Sequence, residues 1–233
     1  MKDFWQTRKI YPTLTTTSGS DWRGKIEELK DLKLTEAALF PTPLKSKERQ
    51  ELYNLLEKTP LKHVPFVHLR TDMDGDEVEY FIKRWGTRIF NVHPFLFDPL
   101  PATLKKFKDL IYIENNSVIW SESDVNQVAG LCVDFSHLED TRRTNKGFYM
   151  SDLAMLETHL AGCAHISAIS AEPYSNQETN KIQYSKHYLD NLSEVDYLLG
   201  YPAKYFPPVI AIELENSLKE QLEIKEYIVK LLK

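Results

Sequence analysis

Short apolar runs alternate eight times with longer segments of helical period along the 233 residues, and no other feature restricts the fold as much. The strand candidates are Lys9–Leu14, Thr35–Phe40, His63–Leu69, Arg88–His93, Leu110–Glu114, Leu131–Phe135, Ala164–Ile169 and Val209–Glu213. They are rich in Val, Ile and Phe and apolar at successive positions, the pattern of strands buried on both faces in a parallel sheet. Parallel neighbours need a long crossover, usually a helix. Helical spacing supplies it at Asp21–Leu32, Ser46–Glu57, Asp76–Trp85, Thr103–Lys108, Glu122–Val128, Ser151–Leu160, Ser193–Leu199 and Leu218–Leu232. Eight βα units predict an α/β chain folded as a single (β/α)8 TIM barrel over residues 1–233. The alternative, a doubly wound sheet, finds no GxGxxG and no P-loop among only 8 glycines.

Helix starts are marked by Ser20-Asp21, Ser46, Ser151-Asp152 and Ser193-Glu194. Two stretches, Ser136–Met150 and Ala171–Leu192, read as long irregular connections. Both follow strands, which in a barrel places them at the face that carries active sites. The hydrophobic share of 42% and charged share of 27% exclude wholesale disorder. A net charge of -5 disfavours a broad nucleic-acid surface. No run reaches the ~20 apolar residues of a membrane span, and no apolar segment of signal-peptide length opens the chain. Cys132 and Cys163 lie in apolar segments without a CxxC, the usage of a reduced cytoplasmic protein.

The functional signal lies at the ends of the strand candidates. His68 closes the third, His93 the fourth, Glu114 the fifth and Asp134 the sixth, with His137 three residues on; His165 lies in the seventh and Glu213 ends the eighth. Each alone is most simply a solvated strand end. In a barrel, however, these ends converge on one mouth. Several carboxylates crowded together repel, and imidazoles among them tend to protonate; a divalent cation satisfies anionic oxygen and neutral nitrogen at once. Mixed His and carboxylate donors suit Zn, Mn, Fe or Co rather than Ca. Removing one carboxylate from such a cluster is expected to relieve repulsion in the metal-free protein. His63 starts a strand at the opposite face and His159 lies in a helix, so both read as structural.

At these residues the chain resembles the xylose isomerase-like barrel superfamily, which includes sugar isomerases and epimerases and the endonuclease IV type of AP endonuclease. The resemblance implies a metal held by a Glu, an Asp, a His and a Glu on the fifth to eighth strands. Glu114 in IYIEN, Asp134 in VDFSH and Glu213 in IAIELEN match three of these, and Asp134 and His137 match the family's D-x-x-H pairing. His187 in YSKHYLDN stands where the family has a His before its late loop. His68 and His93-Pro94 resemble the additional ligands of the endonuclease IV branch. The chain departs from the pattern twice. His165-Ile166-Ser167 stands for the usual His-x-His, which puts Ser167 at the ligand position, and Ser185 stands for the usual Asp.

The resemblance implies a metal-dependent isomerase or epimerase of a sugar, sugar phosphate or related polyol, using Zn, Mn, Co or Mg. Glu114 and Glu213 would carry protons, and His137 and His187 would position hydroxyls or stabilise an oxyanion. Arg142, Arg143 and Lys146 would clamp a phosphate, unless the loop DTRRTNKG is only a solvated charged turn. The second reading is metal-assisted phosphodiester hydrolysis on DNA, against the net acidity. The third is a degenerate, non-catalytic barrel, prompted by Ser167 and Ser185.

Overall fold

The computed structural model describes residues 7–17, 20–70, 72–95, 100–116, 118–176 and 181–233. Its main sheet is wholly parallel and runs β1 (Lys9–Tyr11), β11 (Val209–Ile212), β8 (Ala161–Ile166), β7 (Gly130–Asp134), β6 (Ile111–Glu114), β5 (Ile89–Val92), β4 (Phe66–His68), β3 (Ala38–Phe40), β2 (Thr13–Thr15). The two ends of this order, β1 and β2, are halves of one segment broken at Pro12. Proline has no N–H to give to a ladder, so β1 pairs with β11 and β2 pairs with β3. The Pro12 carbonyl still accepts from the Ala38 amide at 2.9 Å. The sheet thus curls round to meet itself, and the eight expected strands form a TIM barrel.

Helices α1 (Trp22–Asp31), α2 (Ser46–Leu56), α3 (Gly75–Trp85) and α7 (Leu218–Leu231) fall where their periodicity places them. Asp21 caps α1 through the Gly24 amide, and Ser217 with Glu220 forms a capping box on α7. The segments Ala102–Leu110 and Leu192–Gly200 are 3-10 helices, and α4 (Glu122–Val125) is a single turn. Alternate residues along each strand face opposite ways. Outward ones such as Leu39, Val67, Phe90, Ile113, Val133, Ile166 and Ile212 join the helices in two large apolar clusters. Inward ones, including Tyr11, Ala38, Phe40, Phe66, Cys132, Cys163 and Ala211, fill the barrel. Gly162 is required there, because the Tyr112 ring occupies the place its Cβ would take.

Both expected irregular stretches carry regular elements among their described residues. Ser136–Met150 is spanned by α5 (Phe135–Thr144) and α6 (Lys146–Thr158). Asp134 caps α5 through the His137 amide, and Asn145 caps α6 through the Phe148 amide, so α6 begins well before Ser151. Charge rather than apolar period dominates this stretch, which hid its helices. An antiparallel pair, β9 (Ala168–Ser175) and β10 (Ile182–Lys186), runs into Ala171–Leu192 and lies outside the barrel sheet; residues 177–180 lie outside the described ones. The seventh barrel strand accordingly starts at Ala161, and Ala168-Ile169 belongs to β9. His63 pairs with Glu36 at 3.3 Å where β4 is entered, and His159 ends α6 beside Glu122 at 3.1 Å, both in structural roles. Among the described residues no helix is long and apolar enough to cross a membrane.

Candidate metal centre

One layer above Phe66, Cys132, Cys163 and Ala211, the inward positions of the same strands become His68, Asp134, His165 and Glu213, joined by Glu114 of β6. Each side chain is delivered by the end of its strand. Glu213 continues the β11 ladder by donating its amide to Ile166 O at 2.8 Å. Asp134 is both the last residue of β7 and the cap of α5, which fixes its Oδ1 on the His137 amide at 2.8 Å. Capping also puts His137 on the first turn of α5, where its Nε2 lies 3.7 Å from Asp134 Oδ2. Buried Lys25 holds the rim by donating to Thr15 O (3.2 Å) and Leu214 O (3.1 Å). Phe40 and Phe66 floor the layer, their ring centroids 4.6 and 5.3 Å from that of His165.

His165 is the centre of the arrangement. Its Nδ1 lies 3.2 Å from Glu213 Oε2, 3.6 Å from Glu114 Oε2 and 3.8 Å from Asp134 Oδ2. None of these approaches has hydrogen-bond geometry: Asp134 Oδ2 and both His165 ring nitrogens are buried without a hydrogen-bond partner. Native proteins rarely leave such groups unpaired. Donor atoms of Glu114, Asp134 and His165 lie within 4.8 Å of one another, and so do those of His68, His93 and Glu114. Glu114 belongs to both groups. Its Oε2 also meets His68 Nε2 at 3.1 Å and accepts from Asn91 Nδ2 at 2.7 Å. Carboxylate oxygens and imidazole nitrogens that share one dry space without satisfying each other fit a divalent cation by geometry and donor chemistry.

The electrostatics are set by the imidazoles. Burial pushes the Glu114 and Glu213 carboxyls up, but His165 and its neighbouring histidines more than reverse this; Glu114 ends well below the usual carboxylate range and Glu213 at about 2. Burial pulls His165 and His137 down, yet the surrounding anions hold both above the ordinary imidazole value. The carboxylates are therefore attracted inward more than they repel one another. Charge removal at Glu213 is therefore expected to cost the metal-free protein stability rather than to relieve repulsion. Burial pushes the Cys132 and Cys163 thiols up, so they are packing groups in the layer below.

No protein-family model matches the sequence, and no curated protein does. Solved structures do. A xylose isomerase domain containing protein from Salmonella typhimurium LT2 is 16% identical, with 97% of each chain covered and a TM-score of 0.50. A xylose isomerase-like TIM barrel protein from Mycobacterium smegmatis in complex with magnesium is 15% identical over 100% of this chain and 98% of that one, TM-score 0.48. Endonuclease IV from Thermus thermophilus is 14% identical over 97% and 98%, TM-score 0.49. The likeness to the first of these shows a shared fold, the TIM barrel.

Within that fold the mouth gathers His68, His93, Glu114, Asp134, His137, His165 and Glu213, with His93 at the exposed rim. His187, just after β10, is half-buried with an unpartnered Nδ1 and lies on the side of Glu213. Ser167 is not a bare ligand position. Its hydroxyl lies 2.7 Å from that of Ser136, which in turn bonds Asp134 Oδ1 at 2.6 Å, so Ser167 braces a carboxylate. Ser185 sits in β10, where its carbonyl accepts from Tyr174 Oη at 2.6 Å. Arg142 and Arg143 both close on buried Glu139 at 2.6 and 2.8 Å, and Lys146 is exposed at the start of α6. Three site residues were missed in the sequence. Asn91 shares the inner face of β5 with His93 and orients Glu114. Asn115 clasps the Asp134 backbone from both sides, at 2.7 and 2.9 Å. Ser136 is the third. A polar residue inside an apolar strand was the available signal for Asn91; for the other two only the fold reveals the contact.

Proposed function

We propose that this barrel is a metal-dependent isomerase or epimerase of a sugar or related polyol. The observation that carries the reading is the ring of Glu114, Asp134, His165 and Glu213, whose donor atoms meet around one buried space without hydrogen-bonding each other. Glu114, Asp134, His165 and Glu213 would hold the cation, with His68 and His93 on the side of Glu114. A bound divalent ion would hold adjacent substrate oxygens and acidify the proton alpha to a carbonyl. Glu114 and Glu213 would act as proton acceptor and donor: one takes the alpha proton and the other returns one to the neighbouring carbon. His137, whose imidazole the neighbouring Asp134 carboxylate holds above its ordinary value despite burial, is placed to donate to a developing oxyanion, and His187 approaches from the side of Glu213. Phe40 and Phe66 exclude water from below.

The test is a substrate screen with ketoses, aldoses and polyhydroxy acids in the presence of Mn, Co, Mg or Zn, run beside Glu213→Gln. Turnover in the wild type should fall by about 10²–10⁴-fold in the variant, the range for a lost acid–base group. Equal turnover in both proteins would remove Glu213 from the chemistry. One observation favours a second reading, phosphodiester hydrolysis: the His68, His93 and Glu114 group adjoins the first through Glu114, which suits two ions. Abasic-site DNA cleavage that Glu213→Gln abolishes would select it.

A further inference from the structure

A cavity of about 190 Å³ opens beside the ring, between the ends of β4 and β5. His68 and His93 form its polar side, Phe95 and Leu104 part of its apolar wall, and Thr42 and Arg70 its rim. Among the described residues Arg70 is the only arginine or lysine lining it. It follows His68 by two residues, just past the end of β4, and lines the cavity with it. Two anchors immobilise its guanidinium: Nη1 donates to the Thr42 carbonyl, and Nε donates to Asp72 Oδ1 at 2.8 Å. Nη2 makes no hydrogen bond among the described residues.

The Asp72 contact has a plain structural use, since Asp72 also receives Arg49 Nη1 at 3.1 Å. Yet Asp72 does not need Arg70 for its charge. Buried Arg49 already bridges Asp72 and Glu77, its Nη2 lying 2.7 Å from Glu77 Oε1. A second guanidinium held at two points, with one nitrogen left over and a cavity in front of it, is arranged as a receptor.

We propose that Arg70 receives a carboxylate, so that the substrate of the site described above is a small polyhydroxy acid whose acid group lies in this cavity and whose hydroxyl-bearing carbons reach the Glu114–Glu213 ring. This rests on the isomerase reading for the chemistry at the ring, but not for the binding at Arg70. A carboxylate fits better than a phosphate. One planar guanidinium end matches a monoanion, and Arg49, Arg70, Asp72 and Glu77 together sum to no net charge with which to balance a dianion. The other arginines near the mouth, Arg142 and Arg143, are closed on Glu139.

The experiment reads binding without turnover. Melting temperatures and calorimetric titrations of the Mn-loaded full chain are measured with D-glucuronate against D-glucose, D-gluconate against D-glucitol, and inorganic phosphate. The acids should protect the wild type and the neutral partners should not. Arg70→Gln should weaken acid binding by roughly ten- to a hundredfold, the cost of one charge-assisted hydrogen bond, with Mn affinity unchanged; Arg70→Lys should restore part of it. Should Arg70→Gln fail to fold, the Arg70 Nε–H resonance of the wild type is followed instead, and it should move with glucuronate and stay with glucose. Acids that bind no better than their neutral partners overturn the proposal, as does an Arg70→Gln protein that binds them unimpaired, or protection by phosphate alone. Acid binding through Arg70 with no isomerisation of any acid would leave the carboxylate receptor at Arg70 standing and remove the isomerase reading. Turnover of neutral sugars, indifferent to Arg70→Gln, would do the reverse.

Discussion

Two residues separate the most inert layer of this molecule from its most charged one. Phe66 and His68, Cys132 and Asp134, Cys163 and His165, Ala211 and Glu213 are pairs on the inner face of the same strands. The lower member of each packs; the upper member brings charge or a titratable ring into a space nearly as dry. Dry apolar groups stabilise through area and close packing. Dry charges cost free energy unless partners compensate them. The barrel therefore builds the floor first and spends its stability above it: the Phe40 and Phe66 rings that fill the lower layer are also the surface on which His165 lies.

If that division is right, damage below should be read in folding and damage above in ligand response. The largest effect should come from Phe66→Ala. It empties a fully buried ring position and should cost about 3–5 kcal/mol in urea unfolding. A cost within about 0.5 kcal/mol would mean that the lower layer does not carry the barrel. Zinc or manganese should come next. At about 100 times its dissociation constant, either ion should stabilise the wild type by about 2.7 kcal/mol. Glu114→Gln should lose that response, because Glu114 belongs to both donor groups. An unchanged melting temperature with and without chelator would argue against a cation in the ring. Smaller again is Glu213→Gln in the metal-free protein. Since His165 holds Glu213 down to about 2, its charge favours the folded state, and the variant should lose ~1–2 kcal/mol at pH 7. A gain would restore the repulsion account.

The same division explains what could be read from the sequence. Strands buried on both faces are continuous apolar runs, so the eight strands and their polar ends were visible, and with them Glu114, Asp134, His165 and Glu213. What interrupts or decorates the barrel was not. Pro12 looks like an ordinary residue in a strand until the ring has to close there. Helices α5 and α6 start at the caps Asp134 and Asn145, in a charged stretch that lacks an apolar period. Asn115, Ser136 and Arg70 act through contacts between neighbouring strand ends, which spacing along one chain does not encode. The sign of the electrostatics was also illegible. Counting acids gives repulsion, whereas the structure interleaves each carboxylate with an imidazole.

A carboxylate in the helix layer supplies the control for the upper ring. Asp152 of α6 is 3% exposed, and among the described residues no imidazole, lysine or arginine compensates it. Burial pushes its carboxyl up to about 7, only partly offset by the Trp120 amide. Glu213 is buried to a similar degree and moves the opposite way, so the two acids isolate the part played by partners. The sign follows from linkage. With a folded value near 7 and an unfolded value of ~3.9, Asp152 keeps its proton in the native state while the unfolded chain has released it. Its contribution therefore erodes as pH rises from ~4 to ~7 and is flat above. Asp152→Asn removes that titration while keeping the shape. It should gain ~1 kcal/mol at pH 8 and about nothing at pH 4, the reverse of the loss expected for Glu213→Gln. Urea unfolding of the wild type and both variants at the two pH values checks this. If Asp152→Asn and Glu213→Gln shift stability in the same direction at pH 8, burial alone rather than its partners governs the acids of this barrel.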